Sequence, residues 1–582
     1  MTKPDPIQLA LIVSTLQTVT REMAESMLRT SRSPIFSEVR DFITAIFDRQ
    51  GRLVAQTAFI PVLMGSTPFA MDAIAARFRE EIRDGDVYLL NDPFHGNNHL
   101  PDFTVAKPVM VAGDVAFWVM TRGHHADVGA KGSSGYNPEA SNVWEEGIRI
   151  PPVKLYEGGV RRSDLWEFLL LNIRLADIVE GDLQCQIGAC VVGERRLQGL
   201  AAKFGMALVG TAIETYLKGT EEQMRREIRR IPNGVYKAER FLDHDGIVKD
   251  RLVGVRLTLT VNEDAITFDY SESDPQVKGY VNSPLSNTTS CTYIALFSSL
   301  QDEVPVTAGS TAPVSVISRD GTVTNPRPPA ATSGCTLVTC AALVEAGWLA
   351  LAQAVPSQVQ APWGRWCGPM KTAYNPRTGR WTASLSNQCK PGSGATEGYD
   401  GWGHIGPISS SGGARAADPE LFEFVYPYTQ LLYEYRPDSG GAGKWRGGLG
   451  TRAIWRMETD QVLCATAGGG LRPETTPPGL AGGRGGVLSH LSLRRPDGTE
   501  REIDVNALYE LRSGDVLEVA SSGGGGFGDP FERAIELVAD DVANGYVTPA
   551  AARELYGVVI DPLTLNVDLP ATEALRKWTR RA

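Results

Sequence analysis

Two runs of β-branched and aromatic residues, Phe103 to Met110 and Val115 to Met120, flank Val111-Ala112-Gly113-Asp114. A Gly-Asp step between two such runs is a hairpin signal. With the turn centred near Gly113, residue numbers paired across the hairpin sum to about 226, which sets Asp102 opposite His124 with Cβ atoms about 5 Å apart. The chain has seven histidines in 582 residues. Of these, His95, His99, His124 and His125 lie between Asn91 and Asp127, interleaved with Asp92, Asp102 and Asp127. Imidazoles and carboxylates are the groups that bind borderline divalent metals. The cluster therefore reads as a metal site rather than as polar loop residues beside a hairpin. Pro101 disfavours a helical conformation at Leu100, and a turn there folds His99 back toward Asp102. One hairpin mouth then supplies three ligands.

The rest of the chain points to an α+β, multidomain protein. Its length is too great for one core and suits two to four domains. A net charge of -11 provides no basic face, so nucleic acid is not an expected partner. The eight cysteines (185, 190, 291, 335, 340, 367, 389, 464) form no CxxC pair, and they read as reduced thiols of a cytoplasmic protein. Cys335 and Cys340 sit in apolar surroundings that favour buried thiols over nucleophiles. No apolar run approaches the roughly 20 residues that span a membrane, and Asp5-Pro6 interrupts any basic-then-apolar leader.

Residues 1–233 read as an N-terminal αβ metal-site domain. Asp5-Pro6 caps a helix to about residue 30 with an Ile12, Leu16, Val19, Met23, Met27 stripe. Strands at 42–47 and 52–56 follow, then a helix from Ser66 or Thr67 to about Ile82 and a strand at 87–90. Asp41 shares the apolar face of Ile43, Ala45 and Phe47 if the strand reaches it. A charge there needs a partner or a metal; alternatively Asp41 sits at the strand entrance and reaches solvent or Arg40. Helices are expected at 163–173, 177–204 and 206–230, ending at Pro232-Asn233-Gly234. Residues 234–325 read as a central αβ sandwich-like domain with a helix near Thr289 to Leu300. Residues 326–436 read as a Gly/Ser/Trp-rich connecting and interface region, with loops over 360–420 and an apolar helix at Cys335 to Ala354. Residues 437–582 read as a glycine-rich, mainly β domain with a tail of short helices at 531–543 and 548–555. Its glycine runs lack the GxxxxGK[ST] arrangement and are read as turn glycines, not phosphate loops.

NDPFHGNNHLPDFTVAKPV, RGHHADVG, EEGIRIPPVKL, FDYSESDPQVKGYVNSP, DSGGAGKWRGGLG and SSGGGGFGDP occur in that order. On these motifs the chain resembles the hydantoinase B/5-oxoprolinase family from about residue 5 to 560. That family includes N-methylhydantoinase B subunits, the C-terminal half of single-chain oxoprolinases, and acetone and acetophenone carboxylase subunits. The compact chain is most similar to the small-lactam branch, which includes caprolactamase β subunits. The resemblance implies a mononuclear metal held by Asp41, His99, Asp102 and His124, with zinc the best match and manganese or iron as alternatives. Many relatives carry Gly-Gly where this chain has Gly96-Asn97-Asn98, which leaves the path of that loop open.

The resemblance also implies a partner. ATP and Mg would be bound by a hydantoinase A-type ATPase subunit in an assembly of two A and two B subunits. That subunit would phosphorylate the cyclic amide oxygen or bicarbonate, and this chain would complete ring opening of a lactam, hydantoin or 5-oxoproline. His125 and Asp127, and after them His95, are candidates to move protons beside the metal. One alternative is ATP-dependent carboxylation of a ketone. Another is a scaffold subunit with a structural metal, against which stands a ligand set without cysteine.

Overall fold

The computed structural model describes residues 5–579 apart from 80 and 387. The first helix, α1 (Pro6–Thr30), starts as its sequence dictates. The Asp5 carboxylate accepts from the amides of Ile7 and Gln8, and the Gln8 side chain reaches back to the Asp5 amide, a reciprocal cap. Its buried stripe contains Ile12, Leu16, Val19, Met23 and Met27. The chain continues through β1 (Phe42–Asp48), β2 (Leu53–Ala58), α2 (Thr67–Phe78), β3 (Val87–Leu90), β4 (Asp102–Val111), β5 (Asp114–His124), β6 (Val153–Glu157) and β7 (Val160–Arg161). Three helices follow: α3 (Ser163–Leu171), α4 (Ala176–Phe204) and α5 (Met206–Arg229).

These seven strands form one antiparallel sheet in the order β2-β1-β5-β4-β3-β6-β7. Strand alternation divides its side chains between two cores. Phe42, Ile46, Phe103, Val105, Phe117 and Val119 pack toward α1 and α4. Ala45, Phe47, Tyr88, Ala106, Trp118 and Met120 pack toward Met71 and Ile74 of α2. The hairpin register is the expected one, with Asp102 opposite His124 and a bulge between Val109 and Met110.

Next come β8 (Gly234–Leu242), β9 (Val253–Asn262), β10 (Ala265–Asp269), α6 (Leu285–Phe297), α7 (Ala308–Thr311), β11 (Val314–Ile317) and α8 (Cys340–Ala354). The strands form a four-stranded sheet, β11-β10-β9-β8, and α8 packs on β8, β9 and α6. The helix expected at 289–300 thus begins earlier. Residues Cys335–Thr339 wind as a π-helical turn before α8. Contrary to the expectation from apolar run length, Cys335–Ala354 is long and apolar enough to cross a membrane by length and composition. Here it is a core helix: Ala342, Leu343, Val344, Ala346 and Leu351 are fully buried. Glu345, also fully buried, is bracketed by Arg240 at 2.6 Å and Arg365 at 2.7 Å. Burial opposes its ionisation, but the two guanidinium charges hold its carboxyl below the usual range.

The remaining elements are β12 (Pro369–Asn375), β13 (Arg380–Leu385), α9 (Pro419–Val425), β14 (Tyr428–Tyr435), β15 (Thr451–Met457), β16 (Val462–Thr466), β17 (His490–Arg494), β18 (Glu500–Glu502), β19 (Ala507–Leu511), β20 (Val516–Ala520), α10 (Ile535–Ala543), α11 (Pro549–Tyr556) and α12 (Leu569–Thr579). Two sheets result, β13-β12-β16-β19 and β14-β15-β20-β17-β18. Residues 360–420, expected as loops, therefore carry two paired strands, and α12 was not anticipated. The glycine runs combine turn positions, with Gly470, Gly482 and Gly528 at positive φ, and close backbone contacts. A Cβ on Gly447 would lie 2.0 Å from the Gly524 carbonyl oxygen, and one on Gly483 2.2 Å from that of Gly526. The amides of Gly441, Gly448, Gly524 and Gly526 donate to protein carbonyls, so they make no anion cradle.

Candidate metal centre

The site grows from strand parity. Asp102 and His124 are directly opposed at the mouth of the β4–β5 hairpin. The backbone amide of His124 donates to the Asp41 carbonyl at 3.0 Å, which extends the β1–β5 ladder by one residue and places Asp41 across from His124. The loop between β3 and β4 supplies His99. It is held by Asn97, fully buried, whose Nδ2 donates to the carbonyls of Asn91 at 3.0 Å, His99 at 3.1 Å and Asp102. Asn97 Oδ1 accepts from the Thr104 hydroxyl, which in turn accepts from buried Arg122 at 2.7 Å. Arg122 also donates to Ser66 and to the Gly96 carbonyl. Burial pushes its guanidinium down to about 10, against the pull of Asp102. Asn97, in the Gly96-Asn97-Asn98 segment, thus clamps the loop that carries His99.

Three side-chain atoms converge. His99 Nε2 lies 3.0 Å from Asp102 Oδ1, His124 Nδ1 lies 3.2 Å from His99 Nε2, and His124 Nδ1 lies 3.4 Å from Asp102 Oδ1. Among the described residues, these are the His, Cys, Asp or Glu side chains whose potential ligand atoms all fall within 4.8 Å of one another. The distal nitrogens fix the tautomers. His99 Nδ1 donates to the Ser333 carbonyl at 2.8 Å and His124 Nε2 to the Ser134 carbonyl at 3.2 Å. Each ring is thereby assigned a bare lone pair at the converging nitrogen. Facing lone pairs beside a carboxylate repel unless a proton or a cation lies between them. Donors bound at about 2.0–2.1 Å around a tetrahedral ion stand about 3.3 Å apart, close to the observed spacings. Asp102 Oδ2 is buried and has no partner. The donor set and its spacing fit a divalent ion.

With no ion between them, the same donors attract a proton. Burial would depress the His99 imidazole, but the Asp102 charge and hydrogen bond and the Ser333 carbonyl outweigh it and raise it. Burial likewise opposes ionisation of Asp102, yet the two histidines hold it well below the carboxylate range. Asp41 retains some exposure and lies outside the converging group. Burial nevertheless pushes its carboxyl up to about 6, with His124 and His99 pulling down and Asp102 pushing up. Asp41 stands at the entrance of β1, across from His124 and partly exposed, so its position has features of both the inward and the strand-entrance readings.

His125 and Asp127 are not brought to the triad. His125 follows His124 and so points to the opposite face of the sheet. Its ring lies between Phe36 and Phe103, with centroids at 5.4 and 4.4 Å, and Nε2 contacts Gln186 at 2.9 Å. Asp127 is consumed by Arg174, which it binds at 2.6 Å, and by the amides of Gly129, Arg174 and Leu175; it ties a loop to the segment leading into α4. His95 is half exposed and pairs with Asp92 at 3.2 Å. Cys335 and Cys340 are buried, and burial pushes the Cys335 thiol well up.

Several contributors carried no local signal. The Tyr136 ring stacks on His124 at 5.3 Å and meets His99 edge-on at 5.6 Å. Glu146, fully buried, accepts the amides of Thr332 at 2.8 Å and Ser333 at 2.7 Å. It thereby sets the Ser333 carbonyl that holds His99. Burial raises Glu146 to about 7, against those hydrogen bonds.

The family model described as hydantoinase B/oxoprolinase matches residues 5–530. The chain is 36% identical over 584 residues to the caprolactamase beta subunit of Pseudomonas jessenii, covering 99% of this chain and 100% of the relative. It is 29% identical over 602 residues to a putative D-/L-hydantoinase B subunit of Pseudomonas sp. (strain NS671), covering 99% and 98%. The crystal structure of ATP-dependent caprolactamase from Pseudomonas jessenii matches with a TM-score of 0.92 at 35% identity, covering 99% of this chain and 100% of that one.

Proposed function

The chain belongs to the hydantoinase B/oxoprolinase family, and from that premise we propose that it is the metal-carrying subunit of an ATP-dependent cyclic-amide hydrolase. The observation that carries the reading is the convergence of His99 Nε2, His124 Nδ1 and Asp102 Oδ1 within 3.4 Å. Those residues hold the ion, with Asp41 as the fourth ligand from β1. Zinc suits two imidazoles and two carboxylates, and manganese or iron are the alternatives. A divalent ion there supplies Lewis acidity, which polarises an oxygen or acidifies a water.

The chain's own residues prepare that chemistry. Ser333 and Ser134 carbonyls keep the two lone pairs directed inward. Asp102 supplies fixed negative charge, and Tyr136 covers the imidazoles and excludes water. The energy for opening an unstrained amide comes from a separate ATP-binding subunit of the hydantoinase A type, which activates the ring amide or bicarbonate. Support for a partner lies in the names of the caprolactamase and hydantoinase relatives, each of which is one subunit of an enzyme. Two copies of each subunit make up the assembly.

The test is co-expression with an ATPase subunit, followed by metal analysis and turnover of lactams, hydantoins, 5-oxoproline and ketones, with and without bicarbonate. Ring opening coupled to ATP is expected. Turnover of ketones alone would overturn the hydrolase reading, and full activity of His99→Ala or Asp102→Ala would overturn the metal assignment.

A further inference from the structure

Residues Ser133 to Tyr136 make a tight turn over the triad, closed by the Tyr136 amide donating to the Ser133 carbonyl at 2.9 Å. Both central residues are left-handed, Ser134 at φ 51 and Gly135 at φ 78. Turns of that kind select Asn-Gly or Gly-Gly, and a serine at the first central position is strained. Glycine at the second is required twice over, since a Cβ on Gly135 would lie 2.6 Å from the Pro101 ring. Turn chemistry thus accounts for Gly135 and leaves Ser134 unexplained.

The strain is locked in from both sides. The Ser133 hydroxyl is hydrogen-bonded to the Thr372 hydroxyl at 2.7 Å, which ties the turn to β12. The Tyr136 ring is stacked on His124. Between them, the Ser134 carbonyl accepts from His124 Nε2. A glycine could present the same carbonyl without strain, so the carbonyl does not explain the side chain. Ser134 is 1% exposed, and its hydroxyl has no hydrogen-bond partner. Asp102 Oδ2, on the triad itself, is likewise buried without a partner. Buried hydroxyls without partners are costly and rare in native structures. Ser134 thus combines a strained backbone and an unpartnered buried hydroxyl with the carbonyl that orients His124.

We propose that the Ser134 hydroxyl is a catalytic hydrogen-bond donor to the substrate's carbonyl oxygen, strengthening as that oxygen gains negative charge during ring opening. A rotatable O–H donor suits an oxygen acceptor, and a donor aimed at developing charge acts on kcat more than on KM. The assignment rests on the cyclic-amide reading of the same site.

The experiment compares Ser134→Ala and Ser134→Gly in the complex with the ATPase subunit. Metal content per chain, kcat, KM and ATP consumed per ring opened are measured. Both variants are expected to keep wild-type metal content and to lose about 100-fold in kcat, the scale of one oxyanion donor. KM should change little and ATP use per ring opened should rise. Ser134→Gly should be no more active than Ser134→Ala, although it relieves the strained backbone. Wild-type kcat in Ser134→Gly would overturn the proposal, as would loss of metal from both variants, which would make the residue part of the metal scaffold. A wild-type complex that turns over ketones alone would instead overturn the cyclic-amide reading on which the proposal rests.

Discussion

Asn97 offers the sharpest test of how the loop builds the centre. Its carboxamide has two N–H hydrogens shared among the carbonyls of Asn91, His99 and Asp102, two of which belong to proposed ligands. Asn97→Ala removes those bonds; the His99 carbonyl still accepts from the Asp102 amide at 3.2 Å, while the carbonyls of Asn91 and Asp102 lose the carboxamide. Each net bond is worth about 1 kcal/mol, and each orphaned buried acceptor costs about 1–3 kcal/mol more. Partial relaxation of the loop brings the total to about 3 kcal/mol. Because the same loop positions His99 and Asp102, that loss appears in ion affinity as well as in stability, and 1.4 kcal/mol is a factor of ten. Zinc affinity, measured by competition with a chromophoric chelator on metal-free protein, should fall by about 100-fold. Asn97→Asp keeps the shape but turns a donor into an acceptor against three carbonyls, so it should be worse than Ala. Affinity of Asn97→Ala within threefold of wild type, with an unchanged urea midpoint, would refute the claim that this clamp holds the ligands.

Other outcomes follow from neighbouring packing. Glu345→Gln leaves Arg240 and Arg365 buried without an anion and should cost about 3–5 kcal/mol in urea unfolding; a loss under 1 kcal/mol would show that the guanidiniums find other partners. His125→Phe should keep metal content and kcat within a few-fold, because His125 packs between aromatic rings on the far face; loss of proton-transfer rate would restore it as a catalytic residue. Lys371 is fully buried without a hydrogen bond, amid Trp455, Tyr428 and Phe422 at 4.3–5.5 Å, and burial pushes its amine down to about 8. Its folded value lies below its unfolded one, so between them the unfolded chain binds the extra proton and stability rises with pH. Lys371→Met should therefore be more stable than wild type near pH 7, by about 1–2 kcal/mol after the lost cation–π contacts are counted. That advantage should shrink above pH 8; an advantage independent of pH would locate the effect in packing.

How far the centre could be read in advance depends on which contacts are local. The hairpin register followed from Gly113-Asp114 and two strand-like runs, and it correctly opposed Asp102 and His124. The same parity excludes His125: neighbouring strand residues face opposite ways, so a hairpin that delivers His124 to Asp102 delivers His125 to Phe36 and Phe103. Asp127 carried no comparable cue, because its partner Arg174 arrives from the far end of α3. The helix α1 was visible in its apolar spacing, whereas the β12–β13 hairpin was hidden in a Gly-, Ser- and Trp-rich stretch, and the neighbour β16 that completes its pairing lies far along the chain. The glycine runs were legible only in part for a related reason, since close approach of two backbones depends on both segments and neither shows it alone.

The deepest omission concerns what sets the histidine tautomers. Ser333 lies 234 residues from His99, and Glu146 orients it from a third segment. No spacing rule links the three. Yet these contacts decide whether the imidazoles present lone pairs or protons to the centre. In the unfolded chain each imidazole exchanges tautomers freely, and Asp102 has no enforced proximity to either. The carbonyls of Ser134 and Ser333 become available only when the turn at 133–136 and the segment before α8 have docked on the hairpin mouth. Ion affinity is therefore a property of long-range packing as much as of the four proposed ligands. On this account Glu146→Ala, which touches no ligand, should weaken ion binding by about 10- to 100-fold, the scale of lost outer-sphere support. Its effect should be greatest on the His99 resonance in metal-bound spectra. Unchanged affinity in that variant would mean that the Ser333 carbonyl is positioned by the surrounding backbone alone.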